Sequence, residues 1–229
     1  SGSRAGAARG TRSCCNWDED SLTMAVEAAR DCLVGLDRQA LDALCFASTT
    51  PAFAYRSNAG VVATALNLDE TLRVADAGGH QRAGVGALLA AFAQPAGSTT
   101  LVVAADRRLA RPASEQETSF GHGAAAVLVG TGADVAAELL GSASLQDDFV
   151  DHYRASDARF DYALEDRWVR DEGYLKIVPR AIAGALARSG VAAGEVNRFI
   201  LQGPARFTAA VAKTAGLKPE AIQSDLHAE

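Results

Sequence analysis

Apolar and polar positions along this chain follow two periods, and the switches between them mark out the elements. In residues 16–33 (NWDEDSLTMAVEAARDCL), Leu22, Val26, Ala29 and Leu33 recur at helical spacing and predict a helix with one buried face. Asp18, Glu19 and Asp20 place acidic groups at its start, with Asp20 or Ser21 as the cap. Short apolar runs at 44–47 (LCFA), 99–105 (TTLVVAA) and 124–129 (AAAVLV) predict buried strands, and 135–140 predicts another after a Gly-rich turn. Residues 58–68 predict a second helix through Val61, Val62, Ala65 and Leu66. Further on, 175–188 is amphipathic, 196–201 (VNRFIL) predicts a strand, and Gly203-Pro204 opens a helix to about Ala215. Gly216 to Pro219 ends that helix, and a last short helix starts at Glu220. Apolar strands interleaved with helices predict an α/β fold whose sheet is mostly parallel and covered on both faces.

The stretch 73–91 (RVADAGGHQRAGVGALLAA) organises the rest. A short strand at Arg73, Val74 and Ala75 crosses Asp76, Gly78 and Gly79, and a buried small-residue helix begins at about Gln81. Unpaired N–H groups and the dipole at such a helix start favour negative charge, so this is where an acyl-transfer enzyme would place its nucleophile. The side chains available there are His80 and Gln81, and neither is a convincing nucleophile.

Between 146 and 174 the chain is dense in Asp, Arg and aromatics and poor in aliphatics, which reads as a polar surface excursion. Residues 1–15 read as a flexible leader. Composition changes little in this picture: 48% hydrophobic and 22% charged residues are ordinary for a globular chain. A net charge of -6 argues against nucleic acid as the main partner. No apolar run approaches the roughly 20 residues of a membrane span, and no secretory apolar region stands near the start. Cys14, Cys15, Cys32 and Cys45 lack the spacing of a zinc or redox motif, and the histidines are scattered. They read as reduced thiols of a cytoplasmic protein with no bound metal.

Several motifs, collinear after residue 12, resemble the thiolase-like condensing-enzyme superfamily, in its hydroxymethylglutaryl-CoA synthase and ketoacyl-synthase III branch. They are WDEDSLTMAVEAA (17–29), FASTTPAFAYRSNA (46–59), ADAGGHQRAGVGALLAA (75–91), LVVAADRR (101–108), ETSFGHGAAAVLVG (117–130), DFVDHYR (148–154) and FILQGP (199–204). The resemblance implies similar β-α-β halves in a layered α-β-α-β-α fold that dimerises. Residues 16–132 then form the first half, nearly complete, and 133–229 a partial second half. It also implies that the family's pattern begins before, and continues past, the ends of this sequence, which then reads as a fragment, a processed form or a subunit completed by another chain.

The family's chemistry uses a Cys at the start of the central helix, a His at a strand end and, in hydroxymethylglutaryl-CoA synthases, a Glu after the second strand. Carried over residue by residue, these positions are Gln81, Gln202 and Thr49. A glutamine forms no thioester and shuttles no proton near neutral pH. His80 adjoins the Cys position, and His122 lies in the SFGHGAA stretch, where it either reaches the site or supports the turn. The resemblance also implies a coenzyme A thioester as ligand, with no covalent cofactor. Arg56, Arg82, Arg107 and Arg108 are the candidate phosphate contacts, or else surface arginines.

Two readings follow. In the first, the chain is a non-catalytic or accessory subunit, in a homodimer or in a complex with a thiolase-like subunit and a zinc-ribbon/OB-fold protein. In the second, it is an acyl-CoA enzyme with altered chemistry, thioester decarboxylation or retro-aldol cleavage, using His80, Gln81, His122, Asp151 and Tyr153.

Overall fold

The computed structural model describes residues 12–132, 135–203 and 205–223. Most of the predicted leader therefore lies outside the described residues. The chain divides into two compact units, one from Arg12 to Ala136 and one from Ala137 onwards.

In the first unit, helix α1 (Ser21–Cys32) starts as its sequence predicts. The Asp20 carboxylate accepts from the backbone N–H groups of Leu22 and Thr23, and the Thr23 hydroxyl accepts from the Asp20 N–H. This reciprocal box satisfies donors that the helix start would otherwise leave open. Strands β1 (Ala43–Ala47), β2 (Arg73–Ala77), β3 (Thr100–Arg107) and β4 (His122–Val129) form a sheet in the order β2-β1-β3-β4. β1 runs parallel to both β2 and β3, while β4 returns antiparallel along β3. Helices α2 (Asn58–Ala65) and α3 (Ala83–Phe92) are the connections, and α4 (Glu115–Ser119) sits in the loop before β4.

One sheet face packs Leu44, Phe46, Leu101 and Val103 against Leu22, Val26 and Ala29 of α1, Val62 of α2 and Leu66 at its C-terminal cap. The other face packs Ala47, Val102 and Val129 against Ala83, Ala87 and Ala91 of α3. The mixed α/β class and the double covering of the sheet are thus as the sequence predicts.

Several details differ. The strand at 73–75 continues through Asp76 and Ala77, because parallel pairing with β1 runs to Ala47↔Ala77. Helix α3 begins at Ala83 rather than Gln81 and is buried on one stripe only; Val85 is 53% exposed. β4 starts at His122, since its pairing with β3 extends to Arg107↔His122, so His122 is a strand residue and not part of a turn.

Residues 135–140, which span the division between the units, have no ladder partner among the described residues and form no strand, and Leu140 is 65% exposed. Strand propensity expresses itself only on a neighbouring strand. For the same reason 196–201 is reduced to an isolated parallel bridge, Phe199↔Ile222. The polar excursion is partly ordered: β5 (His152–Tyr153) pairs with β6 (Tyr162–Ala163), and a short helix α5 (Asp166–Trp168) runs into a π-helical turn, Val169–Tyr174. Helices α6 (Ile177–Ser189) and α7 (Ala205–Thr214) follow, and Pro219–Ala221 makes a single 3-10 turn where a last helix is predicted. Among the described residues, no helix is long and apolar enough to cross a membrane.

Candidate active site

Because β1, β2 and β3 are parallel, with Ala47 level with Ala77 and Ala104, the loops after β1 and β2 emerge side by side along one sheet edge and β3 runs on beside them to Arg107. The carboxyl edge of parallel strands is where α/β folds place ligands. Three loops line it: 48–50 after β1, 78–82 after β2, and the end of β3 at Asp106–Arg108.

Asp106 organises the first of these. Its Oδ1 accepts from the Ser48 hydroxyl (3.0 Å), the Thr49 N–H (2.7 Å) and hydroxyl (3.0 Å), and the Thr50 N–H (3.0 Å) and hydroxyl (3.1 Å). Thr50 Oγ1 accepts in turn from the Arg107 N–H at 2.8 Å, and the Thr50 carbonyl accepts from the Ser21 hydroxyl at the start of α1. Thr49 therefore spends its hydroxyl proton on holding the loop, and it is no acid/base group.

The second loop needs glycine twice. A Cβ on Gly78 would stand 3.1 Å from the Ser48 carbonyl oxygen, and Gly79 has a φ of 82°, which L-residues with side chains rarely adopt. The turn closes with the Ala83 N–H donating to the His80 carbonyl. His80, Gln81 and Arg82 are all exposed, and no side chain caps α3. At the root of this loop, the Asp76 carboxylate accepts from the N–H groups of Asn58 (2.8 Å) and Ala59 (2.6 Å), fixing the start of α2. Its charge and, foremost, burial push the Cys45 thiol up from its ordinary pKa, so Cys45 is no ready nucleophile.

Of the candidate arginines, Arg56 lies over the Phe53 ring at 4.8 Å and Arg108 over the Phe120 ring at 3.7 Å. Arg107 Nε is buried without a hydrogen-bond partner among the described residues, which leaves a donor open at the end of β3. Arg82 stands on the exposed turn. His122, at the far side of this edge, is held at both ring nitrogens: Nδ1 accepts from the Cys15 N–H (3.1 Å), and Nε2 lies 3.2 Å from the Arg108 carbonyl oxygen. Both contacts are met by the neutral ring protonated at Nε2.

The second unit carries Gln202. Its carbonyl accepts from the Tyr174 hydroxyl at 3.3 Å, and Gly203 beside it has a φ of 148° where a Cβ would run into the Tyr174 ring. Burial first, and the Asp151 charge second, push the Tyr174 phenol up from its ordinary pKa. Asp151 accepts from the His152 N–H (2.8 Å) and lies 3.0 Å from His152 Nδ1. Burial is the largest single influence on Asp151 and raises its pKa, but the hydrogen bonds and charge of His152 together hold it below the usual value. Tyr153, a candidate beside Asp151 in the sequence reading, packs on Tyr162. Tyr174 is the residue that reading missed; it sits at the end of a π-helical turn, a feature that often marks functional positions.

No family profile matches this chain. It is 28% identical over 215 residues to a hydroxymethylglutaryl-CoA synthase of Aeropyrum pernix, covering 91% of this chain and 59% of that protein, so it spans under two thirds of the relative's length. Among solved structures it is similar to 3-oxoacyl-(acyl carrier protein) synthase III of Pseudomonas aeruginosa, with 25% identity and a TM-score of 0.75 over 91% of this chain and 69% of that one. It is also similar to OleA of Xanthomonas campestris, determined with bound lauric acid and lauroyl-CoA, at 18% identity and a TM-score of 0.79 over 95% and 72% of the respective chains.

Proposed function

We propose that this chain, similar to thiolase-like condensing enzymes, is an acyl-CoA-binding accessory chain rather than one that forms a covalent acyl intermediate. The observation that carries this reading is Gln81, exposed on the turn into α3 where the superfamily needs a cysteine. A carboxamide offers no nucleophile. Thr49 supports the loop through Asp106, and Gln202, at the histidine position, moves no proton. The carboxyl edge of the sheet supplies the ligand surface, with Arg107 as the first candidate for the coenzyme A phosphates and Arg56, Arg82 and Arg108 around it. Partners of the class the resemblance implies, a second copy or a thiolase-like subunit with a zinc-ribbon/OB-fold protein, complete the assembly in the cytoplasm.

The test is light scattering of the purified chain with and without a co-expressed thiolase-like partner, combined with calorimetric titration of acetyl-CoA. The expected result is acyl-CoA binding, a defined complex, and no turnover by this chain alone. The half-buried group of Asp151, His152 and Tyr174 favours a second reading, altered thioester chemistry. Release of CO₂ or free coenzyme A by the chain alone, lost in Gln81→Ala, would establish that reading and overturn the first.

A further inference from the structure

Cys15 and His122 form a pair that the proposed function does not use. Cys15 Sγ lies 3.2 Å from His122 Nδ1, whose lone pair the thiol shares with the Cys15 N–H at 3.1 Å, and the other ring nitrogen is oriented by the Arg108 carbonyl oxygen at 3.2 Å. A thiol, a base within reach, and a third group that orients the base are the parts of an activated nucleophile. The backbone holds them together across the fold. The His122 N–H donates to the Ser13 carbonyl (3.0 Å), the Ser13 hydroxyl donates to the His122 carbonyl (2.6 Å), and an Arg12 guanidinium N–H donates to the Phe120 carbonyl (2.9 Å). A Cβ on Gly121 would press on Ser13 Oγ at 3.0 Å, so glycine there permits the close approach.

We propose that Cys15, with His122 as its base, is a reactive thiol that exchanges with low-molecular-weight disulfides. His122 Nδ1 takes the proton of the Cys15 thiol, and the thiolate attacks one sulfur of the disulfide. The Cys15–sulfur bond forms as the disulfide bond breaks, and the departing thiolate takes the proton back from His122. One thiol and one disulfide enter, one thiol and one mixed disulfide leave, and no further oxidant is needed. Sulfur exchange also needs no oxyanion hole. Nε2–H remains on the Arg108 carbonyl throughout, which steadies the transient imidazolium. Charged groups around the pair are Arg12, Arg108 and Glu19; the carbonyl of Glu19 is a second, longer acceptor for the thiol at 3.7 Å.

The other cysteines give an internal comparison. Cys14 is exposed but has no such contact with the imidazole, while burial raises the thiol pKa of Cys32 and Cys45. Cys15 is therefore set apart by a base within reach rather than by exposure.

The experiment treats the full chain carrying Cys14→Ser with oxidised glutathione near pH 7 and follows mixed-disulfide formation by intact mass and peptide mapping. We expect a single early adduct at Cys15, formed roughly tenfold faster than at Cys32 or Cys45. In the reciprocal Cys15→Ser chain, Cys14 is expected to react roughly tenfold more slowly than Cys15 does. Because His122→Asn also removes a structural contact, its effect is read against the other thiols: Cys15 exchange is expected to fall roughly tenfold while exchange at Cys32 and Cys45 stays as in the parent chain. Equal rates at Cys14 and Cys15, or a Cys15 rate unchanged in His122→Asn, would overturn the proposal.

Discussion

Asp106 shows how much one side chain can hold in place. Donors from three successive residues, Ser48, Thr49 and Thr50, converge on one of its carboxylate oxygens. Replacing it by alanine strands those groups in a half-buried loop, and Asp106→Ala is expected to cost roughly 2–4 kcal/mol in urea denaturation. Asp151 is the titrating counterpart in the second unit. Its folded pKa lies below the ordinary 3.8, so its contribution to stability is complete above that value and is lost as pH falls through the folded pKa. The urea midpoint should therefore drop more between about pH 5 and pH 3 in the parent chain than in Asp151→Asn. Gly203 is constrained by geometry rather than charge. With a φ of 148° and Tyr174 against its missing Cβ, Gly203→Ala is expected to destabilise the chain by about 1–3 kcal/mol, read from the same denaturation curves.

At the level of elements, α3 is the informative case. Its buried stripe is Ala83, Ala87 and Ala91, and Gly84 approaches Ala104 so closely that a Cβ would sit 3.4 Å from the Ala104 Cβ. Small residues let the helix lie tight on the sheet and set where the turn at 78–82 points. Ala87→Leu overfills that contact and is expected to lower stability by about 1–3 kcal/mol, measured as a fall in thermal midpoint. A substitution that left the midpoint unchanged would mean the helix is not seated on β1 and β3 as described. Helix α1 carries the same lesson from the other face, where a capping box and an apolar stripe at helical spacing agree, so that its start and its buried side were legible in the residues alone.

For the whole molecule, the division into units after Ala136 is followed by a stretch without regular structure as far as β5. Chain segments between compact units and without regular hydrogen bonding are cut first by proteases. Brief digestion with a glutamate-specific protease is expected to cleave at Glu138, giving fragments identifiable by mass. First cleavage inside the sheet unit instead would contradict the division. The candidate ligand surface belongs to this scale too, since it is built from three loops on one sheet edge rather than from any one motif.

Local patterns settled the elements whose register and caps lie within a dozen residues, such as Ser21–Cys32, Ala43–Ala47 and the Gly78-Gly79 turn. The proposed function rests on Gln81, Thr49 and Gln202, positions assigned only through the resemblance of the stretches that contain them. Partners distant in sequence were invisible there. Nothing local ties His122 to Cys15, Asp106 to Thr49, or Tyr174 to Gln202, since each pair is separated by 107, 57 or 28 residues and meets only when strands align or a π-helical turn closes. The strands predicted at 135–140 and 196–201 failed for the same cause: an apolar run becomes a strand only beside a partner, and the tertiary structure, not the run, supplies one.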